Sequence, residues 1–320
     1  MWRNGNLEAE NFPFDQVSDY LADPDCLVWA DLLEPDPEMI GRIADELSLD
    51  PHAVEDALDV NERPKAMRYP THMFITVAPL MCAGPEPHLR VGRISAFNTS
   101  NAFVTVRLDD VLDVDAVLLR WDTNPTITKF GPRALAHGML DEVVDRYLDV
   151  LQTLDDAVED VEDILFEEDQ TASHDVSRRA FKLRRSLVEA RRAILPTREV
   201  VYAITRRIDT DGHQAELQPY YDDLNDHMLR AVEWTDSLRD SITSIFDTNM
   251  SLADVRMNTI MKKLTSWAAI IAVPTAITGY FGQNIPYPGF GKPWGFWFSL
   301  LSILLIALAL YGLFRRKDWL

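Results

Sequence analysis

The sequence predicts an α+β domain followed by long α-helices and two transmembrane helices. Three observations predict it. Runs of β-branched and aromatic residues alternate with short amphipathic segments before residue 131, a heptad rhythm holds after it, and two apolar stretches without charge lie near the C-terminus. With 320 residues and 47% apolar side chains the chain can bury a sizeable core, which excludes a disordered protein.

In the first part, residues 26–33 (CLVWADLL), 72–78 (HMFITVA), 93–98 and 102–106 read as strands by composition, with Asn98, Thr99, Ser100 and Asn101 as the hairpin between the last two. Residues 37–47 and 52–58 read as short helices. Each follows an Asp-Pro pair, Asp36-Pro37 and Asp50-Pro51, in which the Asp caps and the Pro pre-sets the first helical φ. Gly131-Pro132 closes this α/β domain, residues 1–131.

The next domain, residues 132–215, is an antiparallel pair of long helices. Leu140, Val144, Tyr147, Leu151, Leu154, Val158, Val161 and Leu165 step alternately by four and three, which makes one apolar seam. Thr171, Ala172 and Ser173 form the turn, and a return helix over residues 175–208 carries Leu183, Leu187, Ala190 and Ile194. The outbound helix is acidic and the return helix basic, so the faces either complement one another in solvent or leave carboxylates over for divalent ions. A stalk helix over residues 216–262 keeps the rhythm through Leu224, Met228, Ala231, Thr235, Leu238, Ile242, Ile245, Asn249 and Leu252. No Gly or Pro interrupts residues 220–272, so this helix should run straight into the first span and couple the two mechanically.

Residues 264–281 and 293–314 contain no charged side chain. About 20 apolar residues at 1.5 Å per residue match a hydrocarbon core about 30 Å thick, so both can span a bilayer. The alternative, a buried hairpin in a soluble domain, fits poorly, because residues 294–311 show no polar stripe. Trp267, Trp294 and Trp297 fall near the ends, where aromatic rings favour the interface. Residues 263–320 thus form a two-helix membrane domain with a connecting loop at 282–293, and residues 1–10 lack the apolar stretch of a secretory signal. Lys262 and Lys263 precede the first span and Arg315, Arg316 and Lys317 follow the second, which places both termini in the cytoplasm and the loop outside. The expected location is the cell (inner) membrane, crossed twice.

Charge narrows the partners. The formal net charge is −20, with 31 Lys and Arg against 51 Asp and Glu. Nucleic-acid binding depends on Lys and Arg neutralising phosphates, so an acidic body predicts no nucleic-acid partner and favours cations. Cys26 and Cys82 form no CxxC pair and read as small apolar residues in a reducing compartment. HExxH, GxGxxG, P-loop and GxSxG patterns are absent, and the seven His show no paired metal spacing, so no enzyme is expected.

Several segments together resemble one family. YYDDLNDH (220–227), NTIMKKLT (258–265), PTAITGYFGQN (274–284), the terminal RRKDWL, NERPK (61–65) and LVEARRAILPTREV (187–200) are similar to the CorA-type divalent-cation transporters. The resemblance implies a homopentameric funnel in the lipid bilayer, passing Mg2+ inward, passively, under control of intracellular metal. Its filter triplet Gly-Met-Asn corresponds here to Gly282, Gln283 and Asn284, and it implies pore-lining roles for Thr275, Gly279, Ala272, Leu264, Met261, Asn258 and Asp247. Amide and carbonyl oxygens in a ring suit a cation that gives up its water reluctantly, whereas Leu264 and Met261 suit an apolar constriction. Gln283 in place of Met alters the filter and keeps open Co2+, Ni2+ or Zn2+ transport and a proton-coupled, ZntB-like exporter. A membrane-anchored scaffold that conducts nothing is the remaining alternative. The resemblance also implies a regulatory metal at Asp223, for which Glu86 and Asp226 are the candidate co-ligands.

Overall fold

A computed structural model describes residues 1–13, 16–83, 88–123, 125–165, 172–210 and 216–320. The chain divides into two compact units, Met1–Ile245 and Phe246–Leu320.

The first unit starts with two short strands, β1 (Trp2–Arg3) and β2 (Asn6–Leu7), a one-turn helix α1 (Val17–Leu21), and the long strand β3 (Cys26–Leu33). Helices α2 (Pro37–Leu47) and α3 (Pro51–Leu58) begin as the Asp-Pro pairs predict. Asp36 accepts from the Met39 N–H at 2.7 Å and Asp50 from the His52 N–H at 2.9 Å, satisfying donors that the first turn leaves open. Five strands follow: β4 (Lys65–Arg68), β5 (Met73–Val77), β6 (Leu80–Ala83), β7 (His88–Val91) and β8 (Ile94–Asn98). A sixth, β9 (Ala102–Arg107), completes the series. Seven of the strands form one sheet in the order β2-β1-β3-β9-β8-β5-β4, in which only β3 and β9 run parallel, and β6 and β7 pair separately. Thr99 closes the β8–β9 hairpin, its Oγ1 accepting from the Ala102 N–H at 2.9 Å.

Alternation along the strands fixes what each face buries. On one face Phe74, Phe97, Val104 and Val106 meet Ile40, Ile43, Ala53 and Ala57 of α2 and α3. The four strands read from the sequence are present within a residue or two. The five short ones, β1, β2, β4, β6 and β7, were not read, because segments such as KAMR in the edge strand β4 are half polar and too short to show a period.

Helices α4 (Val114–Thr123) and α5 (Pro125–Thr128), also unread, lead into α6 (Pro132–Leu165) and α7 (Ala172–Thr210). Helix α6 starts at Pro132, directly after the Gly131-Pro132 break. All eight residues of its heptad seam are buried, as are Leu183, Leu187, Ala190 and Ile194 of α7. Tyr147 anchors the seam to the sheet: its hydroxyl donates to the Ala78 carbonyl at 2.8 Å and lies 2.9 Å from Thr197 Oγ1. The predicted turn is corrected in part, since Ala172 and Ser173 belong to α7, while Thr171 lies outside the described residues. Some of the basic side chains of α7 pair elsewhere than with α6. Arg191 of α7 pairs with Asp236 of the next helix at 2.6 Å, and Arg185 with Glu189 of its own helix at 3.2 Å.

That next helix, α8, runs unbroken from Gln218 to Phe281 and passes through the boundary between the units. Its heptad positions from Leu224 to Ile245 are buried in the first unit. The second unit consists of the rest of α8, a loop, and α9 (Pro293–Arg316). Both helices are long and apolar enough to cross a membrane, and only 6% and 0% of their most apolar 18-residue windows are buried, so neither is the core helix of a soluble domain.

Candidate ion pathway and metal centre

In the second unit, Asp247, Asn258, Met261, Leu264, Ala272, Thr275 and Gly279 all lie on α8. At 100° per residue they fall within an arc of about 120°. Every one of them is exposed, Met261 at 51% and Leu264 at 62%. The better covered side of the span, Ser266, Ile270, Val273, Ile277 and Phe281, is centred about 160° away by the same turn angle. Ser266 there is fully buried, and the Phe281 ring meets Phe298 of α9 at 6.4 Å between centroids. The span therefore has a packed side, and within its exposed remainder, which also takes in Trp267, Ile271 and Tyr280, lies the stripe that the resemblance implies. It carries oxygen at Asp247, Asn258 and Thr275, an apolar step at Met261 and Leu264, and small residues at Ala272 and Gly279.

Pro274 sits inside this helix and removes the N–H that would bond to Ile270. Hydroxyls fill in nearby: Thr278 Oγ1 donates to the Pro274 carbonyl at 2.8 Å and Thr275 Oγ1 to that of Ile271 at 3.2 Å. Gly282, Gln283 and Asn284 come directly after the last helical residue and are all exposed. The Gly282 N–H still donates to the Thr278 carbonyl at 2.8 Å, so the triplet leaves the helix on a continued turn.

In the first unit, Asp223 and Asp226 are the described candidates for the expected regulatory metal. Asp223 lines a cleft of about 410 Å³ with His137, Arg120, Trp121, Asp141 and Tyr220. Asp226 is exposed on α8 and outside that group, and Glu86 lies outside the described residues. Beside the cleft the structure assembles a cluster that the sequence reading missed: ligand atoms of Asp141, Asp145 and His227 lie within 4.8 Å of one another. His227 Nδ1 is 3.8 Å from Asp145 Oδ1, is buried, and has no hydrogen-bond partner. Two spacings could have revealed this. Asp141 and Asp145 are four apart on α6, and Asp223 and His227 are four apart on α8, so each pair shares a helix face. The reading of the histidines as lacking metal spacing is therefore corrected for His227. It failed because the pairing is between a carboxylate and an imidazole on one helix and two carboxylates on another.

Arg120 of α4 reaches into this cluster, its guanidinium bonded to Asp141 and Asp145 and 3.2 Å from Glu142. Its charge balances the carboxylates. His137, under the same cleft, approaches the Tyr220 carbonyl with Nε2 at 3.1 Å. Burial pushes its pKa below the ordinary value, against the attraction of Asp141, the Tyr220 carbonyl and Asp223, so it is neutral at pH 7.

Fold and site define a class: a membrane protein with a large folded unit and a second unit of two apolar helices, the first of them continuous with the folded unit's last helix. The chain belongs to the CorA-like Mg2+ transporter protein family, whose model matches residues 25–316. It is 27% identical over 286 residues to a cobalt/magnesium transport protein CorA of Thermotoga maritima, covering 88% of this chain and 80% of the relative. It is 26% identical over 302 residues to the cobalt/magnesium transport protein CorA of Methanocaldococcus jannaschii, covering 92% and 91%. The solved structure of the CorA magnesium transporter from that organism superposes with a TM-score of 0.73 at 22% identity, covering 98% of this chain and 95% of the other, and so shares the fold.

Proposed function

We propose that this chain passes divalent cations, Mg2+ first and Co2+ second, across the cell (inner) membrane through a homopentameric pore, with both termini in the cytoplasm. The observation that carries this reading is the exposed stripe of α8. A lipid-facing stripe is apolar along its length, because an unpaired polar group in hydrocarbon is costly. Here the span's share of the stripe carries Thr275 among the small residues Ala272 and Gly279 and leads to Asn284, while Asn258 and Asp247 continue it along the stalk, which suits water and a hydrated ion on a symmetry axis lined by neighbouring copies of α8. Met261 and Leu264 interrupt the oxygens and would gate by dewetting. Asn284 and the Gly282 carbonyl would hold the ion through its water shell.

Regulation is assigned to the cluster of Asp141, Asp145 and His227, with Asp223 at the edge of the cleft. Two carboxylates and an imidazole suit Co2+, Ni2+ or Zn2+ better than Mg2+, which prefers oxygen alone. A bound cation would displace Arg120 from the carboxylates, and through His227 would act on α8, the helix that becomes the first span.

Purified protein in liposomes containing a metal-sensitive dye tests the pore. Asn284→Ala should abolish Mg2+ and Co2+ uptake while expression and oligomer size stay normal. Robust uptake through that variant would sink the filter, uptake that requires a proton gradient would favour the exporter, and no uptake by the unmutated protein would favour the scaffold.

A further inference from the structure

The eleven residues 282–292 between the spans carry no acid and, apart from Lys292, no charge. They are nonetheless tightly tied. The Tyr287 hydroxyl donates to the carbonyl of Phe281, the last residue of α8, at 2.8 Å. That carbonyl is one of the four acceptors a helix end leaves unpaired, and at the edge of a membrane it has few other donors. The ring of Tyr287 meets Phe281 edge-on at 5.1 Å and Phe290 at 5.3 Å between centroids. Pro286 and Pro288 flank it and restrict its backbone.

The far side of the loop is fixed as well. Gly289 has a φ of +93°, and a Cβ on Gly295 would lie 2.5 Å from the Gly289 carbonyl oxygen, so the loop backbone rests directly on the first turn of α9. Phe281 and Tyr287 therefore bracket Gly282, Gln283 and Asn284 in a closed ring of seven residues. One end of the ring is held by the Gly282 N–H on Thr278 and the other by the Tyr287 hydroxyl.

We propose that Tyr287 is a positioning residue for the cation filter. By donating to the Phe281 carbonyl it closes a clamp that fixes the orientation of Gly282, Gln283 and Asn284 and thereby sharpens discrimination between cations of different hydrated size. The inference rests on reading those three residues as the filter. Tyr287 touches no ion. It removes freedom from the residues that do, and a filter that holds hydrated ions distinguishes them only while its oxygens stay in place.

Tyr287→Phe deletes the hydroxyl and keeps the ring contacts, so the loop stays packed. Two measurements on the full-length protein in lipid nanodiscs and liposomes read its effect. Amide hydrogen exchange at Gly282 and Gln283, whose N–H groups donate to the Thr278 and Tyr280 carbonyls, should rise roughly 2- to 10-fold, the range a single lost hydrogen bond supports. The Mg2+ over Ca2+ flux ratio should fall by a similar factor while oligomer size is unchanged. Unaltered exchange would overturn the clamp, and faster exchange with an unaltered flux ratio would overturn its role in selection. Wild-type flux through Asn284→Ala, measured alongside, would identify failure of the filter reading itself, and the inference would fall with it.

Discussion

Residues 1–245 bury their apolar side chains against one another, whereas residues 246–320 display them. Phe74, Phe97 and Phe103 are fully buried in the first unit, and in the second Trp297, Leu304 and Leu308 are more than half exposed. The polar groups invert too. In the first unit charged side chains are tied, as Arg107 is to both oxygens of Asp31, while in the second Asn258 and Asn284 stand open. A single chain in water finishes the first unit and leaves the second unfinished, because the exposed apolar side chains of the second suit lipid rather than water.

The sharpest way to break this contrast is to separate the units. Residues 1–245 alone should remain soluble and unfold cooperatively, and residues 246–320 alone should precipitate without detergent. Light scattering with circular dichroism reads both, and a soluble second unit would contradict the membrane assignment.

Next in size are truncations on either side of the boundary. Phe97→Ala should lower the stability of the first unit by about 3–5 kcal/mol, as for any fully buried aromatic. Leu264→Ala should leave that melting transition unchanged and instead raise ion leak, since Leu264 lies outside the first unit and is 62% exposed. Equal destabilisation by both would show that the units fold as one.

Smaller still is Tyr147→Phe, which leaves the Ala78 carbonyl and Thr197 hydroxyl short of a partner at a fully buried point. About 1–3 kcal/mol is the expected loss by chemical denaturation. A change below a few tenths would mean water replaces the hydroxyl.

The smallest expected effect is that of pH, and it is confined to one unit, because all seven His lie before residue 245. Burial lowers the pKa of His137, against Asp141, the Tyr220 carbonyl and Asp223, and lowers that of His72, against Asp50. The unfolded chain therefore binds these protons at higher pH than the folded one. Stability is full above the ordinary histidine value near 6.5 and is lost as pH falls through it toward the folded values. Melting temperature of the first unit between pH 7.5 and 5.5 should fall, and a rise on acidification would contradict the burial of these rings.

The sequence by itself determined the elements whose signal is local and long. The α6 seam, the α8 rhythm from Leu224 to Ile245, both spans and the Asp-Pro caps are periodic or chemically specific over their own length, so neighbours in sequence suffice to read them. The stripe from Asp247 to Gly279 came from the family resemblance, and a continuous helix brings those residues onto one face. Tertiary structure alone decided what depends on distant partners. Strands β4, β6 and β7 exist because a neighbouring strand satisfies their backbone, and the Asp141, Asp145 and His227 cluster joins helices 82 residues apart in numbering. The loop clamp is of the same kind: Tyr287 is an ordinary loop aromatic until folding brings it to a helix end whose last carbonyl lacks a donor.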